Sequence, residues 1–179
     1  SACFAWLLLG LLTTGAVATA QGQDGAAAEQ PEPGSWPPPK AEARADDREA
    51  MVQHIRRAYG FRDEQVLDVM RTVPRHEFVP DRRAPAAYRD TPLPIGHGQT
   101  ISQPYIVAEM TRRLELEKGE KALEIGTGSG YQAAVLAHIT PNVYSIEIIP
   151  ELAKQAERRL DRLRAETKAA GRGNSIERV

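Results

Sequence analysis

The residues of this 179-residue chain best suited to chemistry are Glu124-Ile125-Gly126-Thr127-Gly128-Ser129-Gly130-Tyr131. Three glycines in five residues remove the Cβ atoms that would keep a ligand away from the backbone. The run sits between a short apolar strand pattern and a helical one, and a strand that turns into a helix points unpaired N–H groups at whatever fills the turn. That outlines a nucleotide-like site. A dinucleotide fingerprint requires G-x-G-x-x-G or G-x-G-x-x-A, its last small residue lying where helix meets strand. Gly126 and Gly128 fit, but Tyr131 holds that last position and the third glycine is Gly130. The resulting G-x-G-x-G suits a nucleoside ligand without a pyrophosphate. Roughly twenty residues on, where a ribose-binding acid is expected, the strand-like stretch Val143 to Ile149 carries a single acid, Glu147. A carboxylate inside an apolar strand needs a partner to offset desolvation, and ribose hydroxyls would provide one. The plainer readings are a tight strand-to-helix turn for the glycines and a water-facing acid for Glu147.

The elements around these residues follow from hydrophobic period. Met51, Ile55 and Tyr59 recur at helical spacing before Gly60, and Val66, Val69, Met70 and Val73 do so after an Asp63 cap. Pro74 stops the second helix, and Arg75 to Pro80 reads as an extended or turning segment with Phe78 inward. Leu93 to Tyr105 shows no helix or strand period for most of its length, yet gathers Gln99, Thr100, Ser102 and Gln103 before an amphipathic helix from Pro104 to Leu116. Such a donor-rich loop is a candidate active-site wall; alternatively Ser102 caps the helix. Ala122 to Ile125 and Val143 to Ile149 read as strands, Pro150 to about Thr167 as a helix, and Ser175 to Val179 as one further strand start.

Composition narrows the classes. A net charge of -1 without a basic cluster gives no electrostatic footprint for nucleic acid. Cys3 alone offers no disulfide, and His54, His76, His97 and His138 lack metal-ligand spacing, so no metal is expected. Residues 1–20 read as a signal peptide: Phe4 to Leu12 is an apolar core and Ala18-Thr19-Ala20 an A-x-A site before Gln21. Export to the periplasm or medium is the expectation, with membrane attachment only if the leader stays uncleaved. Residues 21–46, rich in Ala, Pro, Gly, Glu and Gln, read as a disordered linker, and order is expected from Asp47.

Three motifs in order carry a family resemblance: Val73-Pro74-Arg75-His76-Glu77-Phe78-Val79-Pro80, the Gly98-Gln99-Thr100-Ile101-Ser102-Gln103-Pro104 core of the loop, and Leu123 to Tyr131. Across about Asp47 to Leu163 the chain resembles the protein-L-isoaspartate O-methyltransferases, and the Gly98 to Pro104 loop separates this family from other methyltransferases sharing the glycine run. The resemblance implies an α/β, Rossmann-like class I methyltransferase fold, S-adenosylmethionine as cofactor, and isoaspartyl-containing proteins as substrates in a protein-repair reaction. It implies Ser102 as the catalytic residue that orients the substrate carboxylate. Gln99, Thr100 and Ile101 would line the junction of cofactor and substrate; Gly126, Thr127, Gly128 and Gly130 would admit the cofactor's amino-acid portion. Glu124 would meet its ammonium, Glu147 the ribose, and Ile148 the adenine. A monomer is expected, and the family is usually pictured in the cytoplasm, where the cofactor is made. The fold is expected to be truncated after the second or third strand, residues 47–179 forming the amino-terminal part of the domain. Two other classes remain: an NAD-linked oxidoreductase, opposed by Tyr131, and a non-catalytic or degenerate exported Rossmann-like binding module.

Overall fold

A computed structural model describes residues 6–8 and 44–169. Helix α1, Ala45–Tyr59, begins two residues before the expected Asp47, with Asp46 and Asp47 in its first turn and Arg56 and Arg57 in its last, both complementing the helix dipole. It buries Met51, Val52 and Ile55 and ends at Gly60 in the left-handed conformation. Helix α2, Glu64–Thr72, starts as expected on Asp63, whose carboxylate accepts from the Val66 N–H at 3.1 Å. Its Val66, Leu67 and Met70 complete the apolar contact with α1. Beyond Pro74 the chain forms a 3-10 turn, Arg75–Phe78, the turning rather than the extended form of the two expected, then a second, Asp81–Ala86. Phe78 is fully buried, as expected.

The stretch without visible period contains a β-hairpin, β2 (Leu93–Gly96) and β3 (Gln99–Ile101). Its two-residue loop places both His97 (φ 52°) and Gly98 (φ 71°) in the left-handed region, the requirement of the hairpin turn that matches strand twist. Alternation along β2 buries Leu93 and Ile95, the latter 6% exposed, and the register is irregular between Pro94 and Gly96. Helix α3, Pro104–Arg113, follows with proline in its first turn, where a missing N–H costs nothing.

Next come β4 (Lys121–Ile125), α4 (Tyr131–Ala137), β5 (Asn142–Ile146) and α5 (Pro150–Ala169). Strands β4 and β5 pair in parallel, Ala122 opposite Val143 and Ile125 opposite Ile146. The connecting α4 buries all seven residues and packs against β5 and α3. The sheet has a third parallel strand, β1 (Trp6–Leu8), on the other edge of β4, with Trp6 opposite Leu123. It comes from the run read as a leader; the rest of residues 1–20, the linker up to residue 43 and the strand start at Ser175 to Val179 lie outside the described residues. Among the described residues no helix is long and apolar enough to cross a membrane.

Gly130 (φ 89°) precedes α4, and a Cβ there would lie 3.4 Å from Ala156 Cβ and Leu160 Cγ of α5. Gly119 (φ 93°) shares the backbone conformation but has open space at that position. Gly119→Ala is therefore expected to cost about 1 kcal/mol, the left-handed penalty alone, and Gly130→Ala about the same, since its Cβ would meet α5 at the near limit of ordinary van der Waals contact. Urea unfolding measures both; a loss at Gly130 several-fold larger would mean that α5 cannot accommodate the methyl group.

Candidate active site

The glycine turn is fixed by the end of the neighbouring strand. The N–H groups of Gly126 and Thr127 both donate to the Ile146 carbonyl, at 2.7 and 3.3 Å, and Gly130 N–H closes the turn on the Thr127 carbonyl at 2.8 Å. Gly126 (φ 92°) and Gly128 (φ 55°) occupy the region closed to most side chains. A Cβ on Gly128 would stand 3.5 Å from Ile95 Cδ1, so the hairpin abuts the turn.

Strand β5 stops at Ile146, shorter than the Val143 to Ile149 expected, which puts Glu147 just past the strand end. Its carboxylate already has partners: Oε2 accepts from Gly128 N–H at 2.7 Å and Oε1 from Ile149 N–H at 3.0 Å. The desolvation argument for a ribose is thereby met in part by the backbone. Two amides hold the carboxylate at the mouth of the turn and leave lone pairs for further donors. Ile148, beside it, is 90% exposed. A hollow of about 340 Å³ opens next to Glu147, walled also by Ser145, Ile146, Ala153, Lys154 and Glu157.

Glu124, on the central strand β4, is 3% exposed. Ser145 on β5 donates to its Oε2, and the Ser145 hydroxyl in turn pairs with Thr127 Oγ1 at 2.5 Å. Burial pushes the Glu124 carboxyl up to about 8; the Ser145 hydrogen bond opposes that shift and the nearby Glu147 charge adds to it. The group is therefore mainly protonated at neutral pH, and among the described residues no cationic side chain pairs with it. Thr127 is buried, its hydroxyl turned to Ser145 rather than to the cleft.

Within the acceptor loop, Gln99 and Thr100 are exposed, Ile101 is buried and Ser102 half-buried. Ser102 does not cap α3. That place is taken by Asp90, whose Oδ1 accepts from Tyr105 N–H at 2.9 Å while Oδ2 receives Gln103 Nε2 at 3.0 Å and the Tyr59 hydroxyl at 2.7 Å. Tyr59 stacks on Tyr105 with centroids 3.6 Å apart. The Ser102 carbonyl accepts from Arg75 Nη2 at 2.6 Å, and the same guanidinium lies over the Tyr131 ring, 4.8 Å from its centroid. Tyr131 is thus a core residue under Arg75, edge-on to Phe78 at 5.4 Å, which accounts for an aromatic where a dinucleotide site has a small residue.

The fold thus brings Glu124, Gly126, Gly128 and Glu147 to one strand-end turn, with the Ile95 hairpin and the Ser102 loop beside it. Gly130 faces α5 instead. Sequence reasoning missed Asp90, Ser145 and Arg75. Each leaves a signal: a lone acid ahead of the loop, a hydroxyl inside an apolar strand, and a cation between residues destined for the core. Among the described residues no group of three or more His, Cys, Asp or Glu side chains could hold a metal ion.

Comparison with known proteins gives one family. The family model of protein-L-isoaspartate(D-aspartate) O-methyltransferase (PCMT) matches residues 46–175. A protein-L-isoaspartate O-methyltransferase of Opitutus terrae is 59% identical over 114 residues, 64% of this chain and 49% of its own length. A second, from Methanoculleus marisnigri, is 55% identical over 116 residues, 65% of this chain and 53% of its own. The chain spans about half the length of the curated relatives it matches. Among solved structures, a Plasmodium falciparum protein of this type in complex with S-adenosyl-L-homocysteine aligns with a TM-score of 0.58 at 27% identity, over 68% of this chain and 58% of that one. The α/β arrangement around the glycine turn is accordingly that of a Rossmann-like methyltransferase, and the chain belongs to the protein-L-isoaspartate O-methyltransferase family.

Proposed function

We propose that this chain supplies the cofactor turn and acceptor loop of an S-adenosylmethionine-dependent protein-L-isoaspartate O-methyltransferase, which esterifies the isoaspartyl carboxylate of damaged proteins as the first step of their repair. The observation that carries the reading is the meeting of two features at one strand end: an acidic glycine turn edged by Glu147, and the hairpin leading into the Ser102 loop, which lays Ile95 against Gly128.

The residues present fit the cofactor. Glu147, pinned by Gly128 and Ile149 amides, offers its remaining lone pairs to a ribose diol. Glu124, a buried carboxyl without a cationic partner among the described residues, suits the ammonium of an amino-acid moiety. Ile148 presents an exposed apolar side chain for adenine. When bound, S-adenosylmethionine supplies a methyl group made electrophilic by its sulfonium. The acceptor carboxylate, with an ordinary pKa near 4, is ionised at neutral pH and needs no general base. The protein's work is alignment and exclusion of water: the Ser102 hydroxyl donates to the acceptor carboxylate, while Ile101 walls the junction.

Three measurements test this reading. Ser102→Ala should lower kcat for an isoaspartyl peptide by about 10–100-fold, the cost of losing an orienting contact, with S-adenosylhomocysteine affinity unchanged by calorimetry. Normal methylation by the mutant would remove Ser102 from the mechanism. Glu147→Ala should weaken S-adenosylhomocysteine binding by about tenfold or more, as expected for losing charge-assisted hydrogen bonds; tight NAD binding in its place would point to an oxidoreductase.

Glu124 gives the third, through pH. Its folded pKa of about 8 lies above the ordinary 4.5, so the folded state holds a proton that the unfolded state releases, and stability falls as pH rises through that window. Glu124→Gln should therefore gain in melting temperature relative to wild type between pH 5 and pH 8.5. At pH 7, S-adenosylhomocysteine binding by the wild type should release a fraction of a proton, visible as a buffer-dependent calorimetric enthalpy, and by the mutant none. A binding enthalpy independent of buffer would separate Glu124 from the ammonium.

A further inference from the structure

We infer that Arg75 is a positioning residue for the acceptor loop, a cation buried to set the place of Ser102 relative to the glycine turn; the catalytic part of this inference rests on the function proposed above. Arg75 is fully buried. A guanidinium so placed loses its hydration, and burial drives its pKa downward. Among the described residues no carboxylate hydrogen-bonds to it, although the Asp90 charge acts on it favourably. Its hydrogen-bond and ring partners are neutral and come from separate segments. Nε donates to the Ala87 carbonyl at 2.8 Å, Nη2 donates to the Ser102 carbonyl at 2.6 Å, and the plane lies over the Tyr131 ring.

The identity of these segments gives the arrangement its meaning. Ala87 closes the second 3-10 turn, Ser102 is the last residue before the α3 cap, and Tyr131 is the first residue of α4 after Gly130. One planar group therefore spans the acceptor loop and the cofactor turn, and its rigid fork fixes the distance between them in a way a flexible ammonium cannot. Asp90 holds the same loop from its other side, through Gln103 and Tyr105. The loop is clamped at consecutive residues, Ser102 by a buried cation and Gln103 by a carboxylate. Ser102 Oγ needs such backing, because a misplacement of about 1 Å at a reacting centre costs about 100-fold in rate.

Arg75→Lys keeps the charge and most of the volume but can reach only one of the two carbonyls. In the full chain, amide exchange of residues 99–103 should accelerate at least tenfold in this variant, with exchange in α1 and α2 unchanged. Unchanged protection of the loop overturns the inference. So does a uniform rise across the core, which marks general destabilisation. This readout holds whether or not the chain methylates anything. Where methyl transfer to an isoaspartyl peptide is measurable, Arg75→Lys should lower kcat by about 10–100-fold with S-adenosylhomocysteine affinity within threefold. The loss should be much smaller on a Ser102→Ala background, because both changes act at one atom. Additive losses would show that Arg75 acts elsewhere. Should Arg75→Lys fail to fold, Asp90→Asn tests the same clamp from its other jaw by the same exchange of residues 99–103. Absence of methylation by the wild type, with loop exchange altered as expected, would refute the enzymatic reading and leave the positioning role standing.

Discussion

A backbone turn that side chains resist is the constraint on which the site depends. After Ile125 the chain must leave the sheet and enter α4 within a few residues, and it does so through Gly126, Gly128 and Gly130, all at positive φ. Everything that approaches the turn uses the space or the N–H groups this conformation frees. The Ile146 carbonyl takes two amides, Glu147 takes a third, Ile95 leans on Gly128, and Leu160 leans on Gly130. The glycines therefore serve different masters. Gly126 and Gly128 border the ligand side, whereas Gly130 lets α5 close on the rear of the turn. A single pattern in the sequence resolves into a binding requirement and a packing requirement.

Two buried ionisable groups flank that turn and are handled in opposite ways. Glu124 sits on the central strand with a serine for company and avoids its desolvation cost by holding a proton. Arg75 does not have that recourse to the same degree, since a guanidinium yields its proton only at extreme pH. Its charge is met by carbonyl dipoles and the face of Tyr131. Removing one partner from such an arrangement costs more than the arrangement contributes, because the remaining polar atoms stay buried. That asymmetry makes both positions sensitive to substitution.

Much of this was legible before the structure. The Asp63 cap, the strand either side of α4, the buried Phe78 and the presence of a single acid near the end of β5 follow from period and residue type. What escaped has a common physical origin. The β2–β3 hairpin was hidden because its left-handed turn uses His97 ahead of Gly98, and because strands of four and three residues are too short to display a period. Glu147 read as a strand residue because apolar neighbours continue past the last ladder hydrogen bond at Ile146. Arg75 and Asp90 act across 27 and 15 residues of sequence respectively, so no local pattern records them. Ser102 looked like a helix cap by type, but an acid from outside the helix satisfies the α3 amide. β1 shows the converse: an apolar run read as a leader has the pattern of a buried parallel strand as well, and composition alone does not separate the two.

Under the proposed function, the electrostatics also bear on how a carboxylate acceptor would be received. Two carboxyl groups near the turn would repel a carboxylate substrate if both were bare. Glu147 is screened by two amide N–H groups, and Glu124, neutral in the free protein, would be offset by the cofactor's ammonium once that is bound. The buried Arg75 donates to carbonyls behind the loop. A salt-bridge anchor would stabilise the acceptor as an anion, and methylation removes that anion, so such an anchor would hold the ground state more tightly than the transition state. A hydroxyl such as that of Ser102 would orient the oxygen with a smaller penalty as its charge disappears. The absence of a cation from residues 99–103 is therefore what the proposed methyl transfer to a carboxylate would favour.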